Sequence, residues 1–432
     1  MDSGIFLDRF MAEIRKTLIP LVAVLAVSHM HAADFRRGML LVCEGQFGAD
    51  YGSLAFFGED GSRMYRVFSE VNPGYYLGTT SQSGCCRSDN VYVVSKDAAG
   101  GGFITVMEAS TLQYKGALNS LPGHCQAFYL SAVSDEKGYL STSDGLYVID
   151  LAGMVVTARV SGAGLSSGMF GQSLCLHDRL YAISRRDGVV VVNIHTDEVE
   201  KVIPVQGASA IASSSAEGMI YIGTTNSSGE IVKISADDYS VEKIDLPGGD
   251  AALTEVWESW HLQPFAFDCG NNALLITGKS PEKVNRYELH TGEFISGFIK
   301  LPETSKGYAG VVYGQGISVS PYDGSVTVIA AHSAGDVFND DFRIYSADAS
   351  TGELIPDRTI EMPDEYWFPA QILYPASISS IHETKPDENE HGYRGPVYTP
   401  MGIEVFNNAD IEAVRKLPAG IYIFANRKIA VK

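Results

Sequence analysis

The stretch Arg179–Ile203, RLYAISRRDGVVVVNIHTDEVEKVI, reads as three short strands joined by two tight turns. RLYAIS (179–184) is apolar on both faces. Arg-Arg-Asp-Gly turns the chain, VVVVN follows, and His-Thr-Asp-Glu turns it again into VEKVI. Glycine, aspartate and asparagine at the turns supply the backbone conformations that hairpins need. The same opening strand recurs as NVYVVS (90–95), KGYLST (137–142), MIYIGT (219–224), ALLITG (273–278) and SVTVIA (325–330). The later half recurs as IVKISADDYSVEKI (231–244), VNRYELHTGEFISGF (284–298) and FRIYSADASTGELI (342–355).

A unit of about four strands repeating every ~40–55 residues has the size of a β-propeller blade. One such sheet cannot bury both of its faces, so the units must stack around an axis. Six units are complete. A seventh is split: GMLLVCE (38–44), GSLAFFG (52–58) and RMYRVFS (63–69) open the chain, and QILYPASIS (371–379) supplies the missing innermost strand. Pairing the two ends closes the ring and hides its edges. The expected fold is all-β: a seven-bladed propeller over 38–380, a linker over 381–396 and a small C-terminal β-module over 397–432. A β-sandwich or a pair of smaller β-domains is the alternative.

Seven of the nine glutamines, Gln82, Gln126, Gln172, Gln206, Gln263, Gln315 and Gln371, fall where one unit ends and the next innermost strand begins. Gln206 stands furthest from the strand that follows it. Such a ring of amides either ties neighbouring blades together in a hydrated channel or offers donors and acceptors to a ligand at the channel mouth. Recurrence in nearly every unit favours the first role.

Loops leading into the innermost strands share that face and carry the aromatic residues Tyr75, Tyr76, Phe170, Trp257, Trp260, Tyr308, Tyr313, Tyr366 and Trp367. Aromatics on loops over a rigid scaffold suit stacking recognition of a sugar, a corrin or a peptide, and they equally serve to pack long loops. These residues are the candidate ligand site. No catalytic residue is assigned: the histidines beyond residue 33 are scattered singly, and no nucleophile elbow or phosphate-cradling loop is present. No zinc spacing exists. DVFNDD (336–341) gathers Asp336, Asp340 and Asp341 and is an option for Ca²⁺, although it lacks the full EF-hand pattern.

A formal charge of −20 over 432 residues excludes the counterion-releasing chemistry of nucleic-acid binding and disfavours anionic bilayers. Arg15 and Lys16 followed by an apolar run over 18–27 and by Ala32 and Ala33 read as a secretory signal over 1–33, with Met11 an alternative start. No later stretch could span a membrane. The expected location is therefore the periplasm, the outer-membrane surface or the exterior. Six cysteines in an exported chain permit disulfides, the adjacent Cys85 and Cys86 included, whereas apolar flanks suit buried thiols.

Two stretches resemble known families. LLVCEGQFGADYGSLAFFGEDG (40–61), with PAQILYP near the end, is similar to the exported YncE-like or quinoprotein-like propellers of uncharacterised function in Bacteroidetes, with Cys43 where those carry asparagine. VYTPMGIEVFNNADIEAVRKLPAGIYIFANRKIAVK (397–432) resembles the last half of the sorting domains of type IX secretion in that phylum. Some members of the propeller family resemble surface receptors that capture cobalamin for an outer-membrane transporter. The resemblance implies a non-enzymatic propeller at the cell surface whose partner is a small molecule, a glycan or a protein. A propeller enzyme (a quinoprotein-like dehydrogenase, or a polysaccharide lyase or hydrolase) and a structural surface scaffold are the alternatives.

Overall fold

The computed structural model describes residues 34–46, 49–166, 168–226, 229–246, 262–278, 281–303, 307, 309–334, 337–363, 368–375, 395–398, 404–409, 411–414, 416, 420–424 and 427–431. The chain divides into two compact units, Met1–Asp34 and Phe35–Lys432. Within the second, seven four-stranded antiparallel sheets form a β-propeller.

The innermost strands of blades 1 to 7 are Pro369–Leu373, Thr79–Arg87, Ala127–Ala132, Phe170–Leu176, Ala208–Ser214, Phe265–Asp268 and Gly310–Val319. Each packs on the next, and the last packs on the first, so the ring is closed. Blade 1 is the split one: Gly38–Cys43 pairs on one side with Ser53–Gly58 and on the other with Pro369–Leu373, Leu41 opposite Ile372 and Val42 opposite Gln371. The closing strand thus begins at Pro369, two residues before the QILYP stretch, and residues 376–379 lie outside the described residues.

The recurring apolar motif is the second strand of its blade. KGYLST, RLYAIS and MIYIGT coincide with Lys137–Thr142, Arg179–Ser184 and Met219–Thr224. These strands are buried on both faces because a blade lies against each side. Outermost strands such as Val155–Arg159 are largely exposed and carry charge. Among the described residues the buried apolar side chains fall into seven clusters, one for each junction between blades.

The motif tyrosines Tyr92, Tyr139, Tyr181 and Tyr221 are at most 1% exposed, and each contributes ~2–3 kcal/mol through burial. Tyr139 also crosses to blade 4, where its hydroxyl donates to Asp197, the carboxylate that Lys137 pairs with at 2.7 Å. The turns joining third and fourth strands repeat a five-residue closure, such as Gly292 N–H to Glu288 O and Gly352 N–H to Asp348 O. Gly292 and Gly352 adopt φ of 72° and 75°, which is why glycine follows threonine there.

A further antiparallel sheet is ordered Glu404–Ala409, Gly395–Tyr398, Gly420–Phe424, Arg427–Val431. Among the described residues no helix is long and apolar enough to cross a membrane.

Candidate functional site: an amide floor beneath the channel mouth

Alternation along a strand would send every second side chain toward the channel. The innermost strands break that rule near their starts. Pairing with the second strand shifts register between Ser81 and Ser83, between Phe170 and Ser173, and between Val312 and Ile317. Extra residues are accommodated in each bulge, and Gln82, Gln172 and Gln315 are among them. A bulge bends the strand and re-aims the side chain it carries.

The re-aimed amides meet across the ring. Gln172 of blade 4 donates Nε2–H to Oε1 of Gln315 in blade 7, 2.9 Å away, and to the backbone carbonyl of Gln263 before blade 6, at 3.3 Å. Gln315 donates in turn to the carbonyl of Gln82 in blade 2, at 3.5 Å. Since blades 4 and 7 stand on opposite sides of the ring, these side chains floor the channel. The Oε1 of Gln172 and the Nε2 of Gln263 are buried with no hydrogen-bond partner among the described residues. Gln371 does what the tying role expects: its Oε1 accepts from Gly84 N–H of the neighbouring blade at 2.7 Å. Gln126 is half-buried just before its strand, and Gln206 is exposed in a turn.

Gln172→Ala removes the donor to the half-buried Gln315 Oε1, and losing such a hydrogen bond costs about 0.5–1.5 kcal/mol. The variant is expected to unfold at a correspondingly lower urea midpoint with an unchanged m-value, whereas the exposed Gln206→Ala should leave the midpoint in place.

Beside this floor, at the mouth, sits a residue that the sequence patterns did not single out. Glu44 ends the apolar run LLVCE and is 7% exposed. Its backbone is held on both sides, its N–H donating to Phe368 O and its carbonyl accepting from Ser81 N–H. Phe368, which makes the first contact, and Thr80, next to the second, are both left-handed at φ 54°, a conformation that costs a bulky or β-branched residue of order 1–3 kcal/mol. The hydroxyl of Tyr313 donates to Glu44 Oε1 at 3.1 Å.

Burial pushes the Glu44 carboxyl up to about 8, against the opposing pull of the Tyr313 bond and of the Lys96 ammonium. Burial in turn lowers Lys96, and burial with the adjacent Glu44 raises Tyr313. Tyr313 is wedged among rings, its centroid 5.6 Å from Phe368 and 5.7 Å from Phe342. The mouth therefore presents a carboxyl that holds its proton at neutral pH, a fixed phenol and a partly buried ammonium. The acidic residue immediately before Gly45, directly after an apolar strand, was the available signal.

Of the aromatic candidates, Tyr313 belongs to this cluster. Tyr76 is exposed and lies 4.9 Å from Tyr51. Tyr75 stacks at 4.4 Å on Tyr114 of the outermost strand of blade 2, away from the channel. Phe170 is 1% exposed and packs between blades 3 and 4, so it is a core residue. Trp257, Trp260, Tyr308, Tyr366 and Trp367 lie outside the described residues, as does Asp336. Asp341 has both carboxylate oxygens engaged by Arg343, at 2.8 and 2.9 Å. Among the described residues no three of His, Cys, Asp and Glu gather as a metal site. All six cysteines are free thiols, Cys85 and Cys86 included.

A family model described as a domain of unknown function (DUF5074) matches residues 37–375, the stretch that holds all seven blades. No curated protein matches the sequence. Two solved structures are similar at low identity. A chain of the mitotic checkpoint complex shares 12% identity at a TM-score of 0.47, over 67% of this chain and 79% of that one. The computationally designed Ika8 protein shares 15% at 0.44, over 78% of this chain and 91% of its own.

Proposed function

This chain belongs to the family described as a domain of unknown function (DUF5074), which assigns no chemistry, and from its site we propose an exported, non-enzymatic ligand-binding propeller. The observation that carries this reading is the Gln172–Gln315 bond across the ring. It makes the channel mouth a floored cup, and a cup walled by several blades can surround a ligand that a through-channel would pass. The protonated Glu44 and Lys96 supply donors at its edge, Tyr313 fixes the carboxyl through its own hydroxyl, and Trp257 and Trp367, in the loops that the sequence puts before innermost strands, are the candidate stacking residues. A small molecule, a glycan or a peptide fits this chemistry, and the sequence resemblance adds cobalamin and handover to an outer-membrane transporter as candidates.

The test is a binding screen of the full chain against a glycan array, cobalamin and a peptide library. Saturable binding is expected, weakened at least tenfold in the Trp257→Ala/Trp367→Ala double variant, since hot-spot aromatics each carry 2 kcal/mol or more. A double variant that holds every identified ligand as tightly as the wild type sinks the proposal.

One observation favours a second reading. A buried carboxyl near 8 beside a phenol and an ammonium is also what a general acid–base group requires. Turnover on a polysaccharide or alcohol panel that disappears in Glu44→Gln would make the protein a propeller enzyme.

A further inference from the structure

On the face opposite the mouth, where the innermost strands end, a cavity of about 520 Å³ opens at the seam between blades 7 and 1. We propose that this cavity is a second binding site, for an uncharged, hydroxyl-rich small molecule of mono- to disaccharide size. It does not depend on the reading of the mouth.

Its walls come from the two ends of the propeller. Blade 1 contributes the start of Gly38–Cys43, the end of Ser53–Gly58 and Tyr374, just past its innermost strand. Blade 7 contributes Tyr322, Thr327 and Ser346. The volume lies in the ordinary range for small-molecule sites. One side is rigid: Tyr322 and Tyr374 meet edge-to-face with centroids 5.7 Å apart. The hydroxyl of Tyr322 donates toward the carbonyls of Arg36 and Gly38, at 3.0 and 2.9 Å. The Tyr374 hydroxyl lies 3.0 Å from Thr327 Oγ1. Phenol rings held in this way offer flat apolar faces with polar tips, the surface that a sugar ring packs on.

Two further polar groups line it. Ser346 is 9% exposed and lines the cavity. Arg63, at the rim, is exposed and has no carboxylate partner among the described residues.

The charge balance selects the ligand class. Arg63 and Arg358 face Glu59, Asp323 and Asp357, and Arg358 is already paired with Asp323. No net positive field remains for a phosphate or a carboxylate, whereas planar guanidinium and carboxylate groups beside serine and threonine hydroxyls match vicinal diols.

Saturation-transfer NMR on the full chain tests this with maltose, cellobiose, lactose and N-acetyllactosamine, and with inorganic phosphate and glucuronate as anionic probes. At least one neutral disaccharide is expected to show saturable transfer. Ser346→Trp, which fills the cavity, should abolish it, and Arg63→Ala should weaken it about five- to tenfold. Trp257→Ala/Trp367→Ala, the double variant that tests the mouth, should leave it unchanged. Circular dichroism checks that Ser346→Trp folds; if it does not, Arg63→Ala decides alone. The proposal is overturned if none of the four neutral probes binds, if phosphate or glucuronate binds in their place, or if the signal is undiminished in Arg63→Ala.

Discussion

Glu44→Gln is expected to make the protein more stable in alkali and to flatten its stability profile between pH 5 and pH 9. The folded state raises this carboxyl to about 8, because burial disfavours the charged form more than Tyr313 and Lys96 favour it. In the unfolded chain the same group titrates in the ordinary glutamate range. The folded state therefore binds the proton more tightly, so stability is fully present below the unfolded value and is lost as pH rises toward 8. At 1.36 kcal/mol per pH unit the wild type should lose up to about 4 kcal/mol across that interval from this residue alone. Glutamine keeps an acceptor for Tyr313 and carries no titrating proton. Urea denaturation at pH 5, 7 and 9 reads the difference: the two proteins should be comparable at pH 5 and diverge by a few kcal/mol at pH 9. Parallel profiles would mean that Glu44 is ionised in the folded protein.

Ending the chain after Phe368 should abolish cooperative folding. That truncation removes the innermost strand of blade 1, with Ala370, Ile372 and Leu373 each at most 5% exposed. It strips the partner from Leu40, Leu41 and Val42, all 0% exposed, and leaves an apolar strand edge open. Two large side chains at ~2–3 kcal/mol each, plus their ladder, equal a large share of the 5–15 kcal/mol that holds a typical domain. Light scattering on the refolded truncation should report aggregates, and near-UV circular dichroism should lose its fine structure. In the full-length chain the milder Ile372→Ala should cost about 2–5 kcal/mol while keeping a single transition. A monomeric, cooperatively unfolding truncation would show that blade 1 is dispensable.

The fold was readable because the blade is a local object. A second strand with tyrosine at its third position, a glycine- or aspartate-bearing turn and a charged outer strand recur within short windows. Each feature is dictated by neighbours in sequence. Even the closing strand was findable, since an unpaired blade must be completed somewhere. The site was less readable. Seven glutamines mark strand starts, but only the bulges decide that Gln172 and Gln315 meet across the axis while Gln206 stays in solvent, and a bulge leaves no mark in the alternation of apolar residues. Glu44 escaped because its burial comes from segments around Ser81, Tyr313 and Phe368, distant in sequence from LLVCE. Phe170 reads as a mouth aromatic because its loop is there, whereas it begins its strand and packs into the core. The seam cavity was out of reach for the same reason as Glu44: its walls are the first and last strands of the propeller, more than 250 residues apart.

The pairing of Gly38–Cys43 with Pro369–Leu373 also fixes an order of events. Six blades can form as their residues emerge during synthesis, since each is a meander of adjacent strands. The first strands to appear cannot finish their sheet until nearly the whole propeller has been made. Contacts of such sequence separation are slow to form, and while they wait the chain carries a sticky edge at one end and the nearly completed ring at the other. The vulnerable interval for this protein is thus the last step, in which a late strand must find an early one before a second molecule does.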